Sequence, residues 1–208
     1  MRRIIVILGA LLLAGCVGSP PRPVDIARHD LGDPGEPGGR WQAGGVAISR
    51  VEVRAAAWLD AAAQAYRLDY ADPLTRRSYA ENRWVAPPGE LLERWLQRRI
   101  LTGHEASAGP GCRLVVWLDE LEQRFAAPRS SEVVLAVRAS LLPLRGDAVL
   151  AQQVFRIVKP GPTPDARGGV AATRAGADAL AQELARWLAD LARERPQAIT
   201  ICKENKEK

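Results

Sequence analysis

The chain has 208 residues, of which 25 % are charged and 47 % hydrophobic, and its formal charge is +5. That balance excludes a disordered or multi-spanning chain, and the length suits one domain with a real core rather than two. Basic residues are interleaved with Asp and Glu, so no cationic stripe points to nucleic acid.

Met1-Arg2-Arg3 forms a short positive start, followed by an apolar run from Ile4 to Leu13. Ten apolar residues make a signal-peptide core and fall well short of the ~20 that a spanning helix needs. Leu13, Ala14 and Gly15 then lead directly into Cys16, the pattern of a bacterial lipobox. The thiol of Cys16 would take a diacylglycerol thioether, cleavage would fall before it, and the freed amino group would be acylated. Residues 1–15 are therefore read as a lipoprotein signal peptide. Several acyl chains on one residue give stable anchoring, where a single chain is marginal. Val17 and Gly18 follow the cysteine with no Asp at the second mature position, which fits cargo released to the periplasmic face of the outer membrane. The alternatives are an ordinary secretory signal with a chance cysteine, or an uncleaved anchor.

Residues 16–45 read as the lipidated cysteine and a flexible tether. Pro20, Pro21, Pro23, Pro34 and Pro37 alternate with Gly32, Gly35, Gly38, Gly39, Gly44 and Gly45, and few apolar residues lie between them. Such a segment buries too little surface to offset its ordering entropy. As a coil it would hold the domain roughly 25–30 Å from the membrane on average. His29 falls in this tether and is expected to be solvated.

The domain is expected over 46–202, with a disordered tail at 203–208. Val46, Ile48, Val51 and Val53 suggest a first strand with a register break near Ser49-Arg50. Ala61 to Tyr70 is ambiguous, since alanines favour helix, but Ala65 to Tyr70 alternates like a strand. Ser78 to Trp84 reads as another short strand, closed by Pro87-Pro88. Glu90 to Thr102 places Leu91, Leu92, Trp95, Leu96 and Ile100 on one helix face, with Gly103 as its stop. Three strand-like runs follow, at Arg113–Phe125, Glu132–Leu144 and Val149–Val158. A last helix carries Leu180, Leu184, Trp187, Leu188 and Leu191 at helical spacing and stops at Pro196. Together these predict an α+β two-layer domain, a mostly antiparallel sheet with two main helices on one face.

Cys112 and Cys202 remain once Cys16 is lipidated. In an oxidising compartment they are a candidate disulfide; the other reading is two free thiols too far apart to bond. Two histidines, one of them in the tether, argue against a zinc site, so no metal ligands are assigned. His104, after Gly103, reads as a helix-end cation. Asp119, Glu120 and Glu122 look like a solvated strand face, and Arg145-Gly146-Asp147 like a hairpin turn. No phosphate loop or nucleophile elbow occurs, so no catalytic residue is assigned and the chain is read as a non-enzyme.

Several segments together resemble one family. They are Tyr66-Arg67-Leu68, then Ser78 through Pro88 (with Asn82-Arg83-Trp84) leading into Leu91-Leu92-Glu93, the run Leu114 to Phe125 with its Leu-Asp-x-Leu-x-Gln-x-Phe core, Val134 to Leu142, and Gly169-Val170-Ala171-Ala172 running into Leu184 to Leu188. In this order, behind a lipobox, they resemble the ABC-type transport auxiliary lipoproteins (PqiC-like) over about residues 46–193. The resemblance implies an outer-membrane lipoprotein that works with an MCE-domain protein and an ABC permease in moving lipids or other hydrophobic molecules, and that in some members assembles as a homo-oligomeric ring. It implies no cofactor beyond the covalent diacylglycerol and N-acyl lipid on Cys16. Under it, Arg83 and Trp84 are candidate partner contacts; the plainer reading makes Trp84 core and Arg83 its cover. An outer-membrane assembly or cell-wall-linking adaptor is the competing function. A lipid carrier would need a cavity of about 300 Å³ or more between sheet and helices.

Overall fold

Strand β5 (Cys112–Ala127) has partners on both sides along most of its 16 residues, and the rest of the fold is arranged around it. The computed structural model describes residues 25–33, 46–100 and 111–202. On one side β6 (Ser130–Pro143) pairs antiparallel with β5, and β7 (Ala151–Pro160) pairs antiparallel with β6. On the other side two strands follow one another along the same edge. β2 (Ile48–Ala55) lies parallel to the first half of β5 and β3 (Ala63–Leu68) parallel to its last residues, with a 3-10 turn at Ala57–Leu59 between them. β4 (Asp72–Trp84) returns antiparallel to β3, and β1 (Ala27–His29) lies parallel to the end of β4. The result is a seven-stranded sheet dominated by its long antiparallel ladders.

Two helices cover one face of this sheet, as the α+β reading expects. α1 (Pro88–Ile100) packs on β2, and α2 (Ala166–Glu194) packs on β6 and β7. Alternation along β5 points Leu114, Val116 and Leu118 at the helices. A bulge between Leu118 and Glu120 then shifts the parity, so that Leu121, Gln123 and Phe125 continue on the same side. From β6, Val133, Leu135, Val137, Ala139 and Leu141 meet Leu180, Leu184 and Leu188 of α2 in one continuous core. The enclosed space between sheet and helices bounded by Leu31, Trp84, Leu92 and Leu135 is about 10 Å³, room for one water and far less than an acyl chain requires. A larger groove of about 590 Å³ between β7 and α2 is open to solvent and lined by Gln153, Phe155, Trp187 and charged side chains such as Glu183, Arg186 and Asp190.

The structure differs from the sequence reading in three places. The first is the last helix, which starts at Ala166, four turns before its leucine stripe. Asp165 caps it by accepting a hydrogen bond from the Gly168 amide at 2.8 Å. Gly168, Gly169 and Gly176 hide this half from a propensity reading, because glycine is a poor helix former. Gly168 and Gly169 are needed for close packing: a Cβ would lie 1.9 Å from the Thr163 carbonyl oxygen at the first and 2.3 Å from Gln123 Oε1 at the second.

The second difference lies in the segment read as tether. β1 pairs with β4 through Ala27–Asn82, Arg28–Arg83 and His29–Trp84. His29 is half-buried and donates from Nε2 to Asn82 Oδ1 at 2.9 Å rather than being solvated. Leu31 is buried against Trp84, Leu91 and Leu92, and Arg174 donates to the Asp33 carbonyl at 3.0 Å. One leucine and three ladder residues suffice to fix a short strand within this segment because the exposed edge of β4 supplies the backbone partners. The third difference is Glu122, which is buried rather than solvated.

The C-terminal segment is also fastened. Ile199 is fully buried, Ala47 donates its amide to the Cys202 carbonyl at 2.7 Å, and a disulfide joins Cys202 to Cys112 at the start of β5. In the β6–β7 connection, Arg145-Gly146-Asp147 turns at Gly146, whose φ of 96° suits glycine. Cys16 and its lipobox, residues 17–24 and 34–45, His104 and the tail 203–208 lie outside the described residues.

Candidate docking surface

The sheet face opposite the helices has no described helix over it, and its side chains form a ladder of arginines and carboxylates. Arg138 on β6 makes a two-pronged pair with Asp119 on β5, both bonds at 2.8 Å. Arg156 on β7 reaches Glu120 at 3.4 Å, and Arg124 clasps Asp69 at 3.0 and 3.2 Å. At the centre, Glu122 accepts from Arg67 at 2.8 Å and from Arg76 at 3.0 Å. Burial works to raise the Glu122 pKa, but the hydrogen bond from Arg67 and the charge of Arg76 outweigh it and hold the carboxyl below its ordinary value. Three strands bring these groups together, which is why a carboxylate at an alternating strand position can be buried without becoming neutral.

Two tryptophans lie on this face. Trp117 on β5 is 38 % exposed and is flanked by Arg54 at 5.4 Å and Arg138 at 5.8 Å from its ring centre. Trp58, in the turn after β2, is 60 % exposed with Arg76 stacked on it at 5.4 Å. Arginines held over indole rings lose little freedom when a partner arrives, and Trp and Arg are the residues that most often anchor interfaces. Val154 and Val158 extend the exposed area along β7. The sequence reading passed over both tryptophans. Trp117 was within reach, since Val116 and Leu118 face inward and leave it outward by strand alternation.

Of the candidate contacts, Trp84 is only 3 % exposed and belongs to the core, so it presents no surface to a partner. Its amide donates to the Ala62 carbonyl at 2.9 Å, and the Val85 amide donates to the His29 carbonyl at 2.8 Å. Arg83 is half-buried within β4, between Arg28 and Ala63 in the ladders. The Asn-Arg-Trp segment thus ties β1 and β3 to the end of β4.

A second polar cluster, on the helix side, holds the start of α2. Gln123 donates to Ser131 Oγ at 2.8 Å and to the Asp165 carbonyl at 3.1 Å, and Gln64 donates to the Ala166 carbonyl at 2.6 Å. Tyr79 donates its hydroxyl to Gln123 Oε1 at 3.0 Å; burial there pushes its pKa up to about 12. These bonds pin the helix to the sheet, and Gln64 Oε1 is buried among them without a hydrogen-bond partner. Among the described residues no group of three or more His, Cys, Asp or Glu side chains is placed to hold a metal ion.

The described residues thus form a packed two-layer α+β domain with an arginine-lined sheet face that no described helix covers. The chain belongs to the ABC-type transport auxiliary lipoprotein component family, whose model matches residues 36–185. Among solved structures it is similar to a Xanthomonas campestris protein of the DUF330 family at 18 % identity, covering 84 % of this chain and 96 % of that one with a TM-score of 0.62. It is also similar to an uncharacterized protein at 15 % identity, over 82 % and 98 % of the two chains, with a TM-score of 0.50. Both likenesses are of fold. No curated protein sequence matches the chain at a significant level. No described helix is long and apolar enough to cross a membrane.

Proposed function

We propose that this protein is a non-enzymatic docking component of an MCE-type ABC transport system for lipids or other hydrophobic molecules, held at the periplasmic face of the outer membrane by acyl chains on Cys16. The family match carries this reading, since it assigns an auxiliary role in ABC transport to residues 36–185, which stand downstream of Leu13-Ala14-Gly15-Cys16. The packed interior supports a contact role over a carrier role, because the enclosed space beside Trp84 and Leu135 admits a water and no lipid tail, and the larger groove between β7 and α2 is open and lined mainly by charged side chains. The disulfide is in keeping with an oxidising compartment. The surface offered to the MCE partner is the open sheet face around Trp117 and Trp58, with Arg54, Arg76 and Arg138 held against the rings.

The test is a pull-down of the tagged, lipidated protein from outer membranes, with partners identified by mass spectrometry. An MCE-domain protein is expected, and it should be lost when Trp117 and Trp58 are both replaced by Ala in a chain that still folds. Recovery of outer-membrane assembly factors or peptidoglycan alone would replace this reading with that of an anchored adaptor for another partner.

A further inference from the structure

The way β1 is attached sets a direction for the anchor. β1 is parallel to β4, with Ala27 opposite Asn82 and His29 opposite Trp84. Going back from Ala27 toward Cys16, the chain therefore leaves the domain heading along β4 toward the turn that joins β3 to β4. Cys16 lies ten positions before Ile26. Fully extended, that stretch spans at most ~35 Å. The turn lies about eight residues along β4 from Asn82, or roughly 25 Å. The anchor thus reaches past the turn by only a short margin. To place the membrane at the opposite end of the sheet, beyond the Arg145-Gly146-Asp147 turn, the chain would have to reverse at once and spend nearly all its length.

The end that the anchor points to is unusual. Leu68 pairs with Asp72 and Arg67 with Arg76, so Pro73, Leu74 and Thr75 have no ladder partner and bulge outward. Leu74 is 90 % exposed, and Tyr70 in the adjoining turn is 47 % exposed. The Arg67 guanidinium donates to the Pro73 carbonyl at 2.7 Å and holds the bulge in place. β3 runs parallel to β5, so the β5–β6 turn with Pro128 and Arg129 lies at the same end, as does Lys159 at the close of β7. A bare leucine, a tyrosine and nearby cations match a lipid interface, with an apolar tip for the acyl boundary, an aromatic ring at headgroup depth and positive charge for phosphate.

We infer that the β3–β4 tip, led by Leu74 and Tyr70, rests in the phospholipid surface that holds the acyl chains of Cys16, so that the domain stands on the membrane with β5 upright. This rests on the anchoring proposed above. It leaves the open sheet face running away from the bilayer, available to a partner arriving from the periplasm.

The lipidated protein is reconstituted in phosphatidylethanolamine–phosphatidylglycerol vesicles carrying headgroup spin-labelled lipid. An environment-sensitive fluorophore is placed on Leu74→Cys or on Asp147→Cys. With Cys16 acylated and Cys112 bonded to Cys202, the introduced thiol alone takes the label. The expected result is a blue shift with several-fold more quenching at position 74 than at 147. Adding Leu74→Asp should remove the quenching of a label on Tyr70→Cys while leaving flotation and melting unchanged. Equal, water-like emission at both positions on vesicles that carry the protein would overturn the inference and leave the anchor standing. A protein that fails to float and has a free, alkylatable Cys16 would overturn the anchoring itself, and the inference with it.

Discussion

The two faces of the sheet use the same strands for opposite ends. On the helix side, Leu114, Val116, Leu135 and Val137 pack against α1 and α2, and stability there comes from removing apolar area from water. On the open side lie Trp117, Arg138 and Asp119, which pair with one another, and Arg113, which pairs with Asp147; all remain partly wet. Strand alternation alone divides the chain into these two sets, and the bulge at Glu120 keeps the division in phase along β5. A sheet face can thus be ordered without a helix over it. Cross-strand ion pairs fix the arginines in place, so the open side is rigid enough for recognition while adding little to the core.

Four experiments would break or sharpen this contrast. The largest effect is expected from Trp84→Ala, which empties a buried site between β4 and α1 and should cost about 3–5 kcal/mol in denaturant unfolding. A loss below about 1 kcal/mol would mean that Trp84 is not core. Replacing both Cys112 and Cys202 by Ser should cost about 2–4 kcal/mol, read as a lower melting temperature that reductant no longer alters.

Next comes Glu122→Gln, which leaves Arg67 and Arg76 facing a neutral group and should cost about 1–3 kcal/mol at neutral pH. Because the Glu122 pKa lies below its unfolded value, the unfolded chain takes up a proton first as pH falls. Its stabilisation is complete above the ordinary glutamate range and is lost as pH drops through the folded value. The wild type should therefore weaken on acidification more steeply than Glu122→Gln, and parallel stability curves would rule this out. The smallest change in stability, within about 1 kcal/mol, is expected for Trp117→Ala, since the ring is partly exposed. Partner capture should fall sharply all the same. Unaltered capture would move the docking surface elsewhere.

Much of the fold could be read locally. The α1 stripe of Leu91, Leu92, Trp95, Leu96 and Ile100, the alternation of Val133 to Leu141 and the register break beside Ser49 all lie within a few residues of one another, and each appears where expected. The first half of α2 was not legible, because its glycines answer to Gln123 and Thr163 on other segments rather than to helix propensity. The docking face was only half legible. Alternation marks Trp117 as outward, but nothing in the sequence announces that Arg54 and Arg138 would stack on it.

What the sequence determined by itself was whatever depends on spacing along the chain: helix faces, strand parity, the lipobox pattern before Cys16, and the ordered motifs that mark the family. Only the tertiary structure decided the meetings between distant segments. It brought Arg67 from β3 and Arg76 from β4 onto Glu122 of β5, and it laid residues 27–31, out of the segment read as a tether, into the edge of β4. The physical reason is the same in both cases. A buried carboxylate or a strand with few apolar residues is unfavourable alone and stable only against its neighbours, and those neighbours are fixed by the sheet's topology rather than by adjacency in the chain.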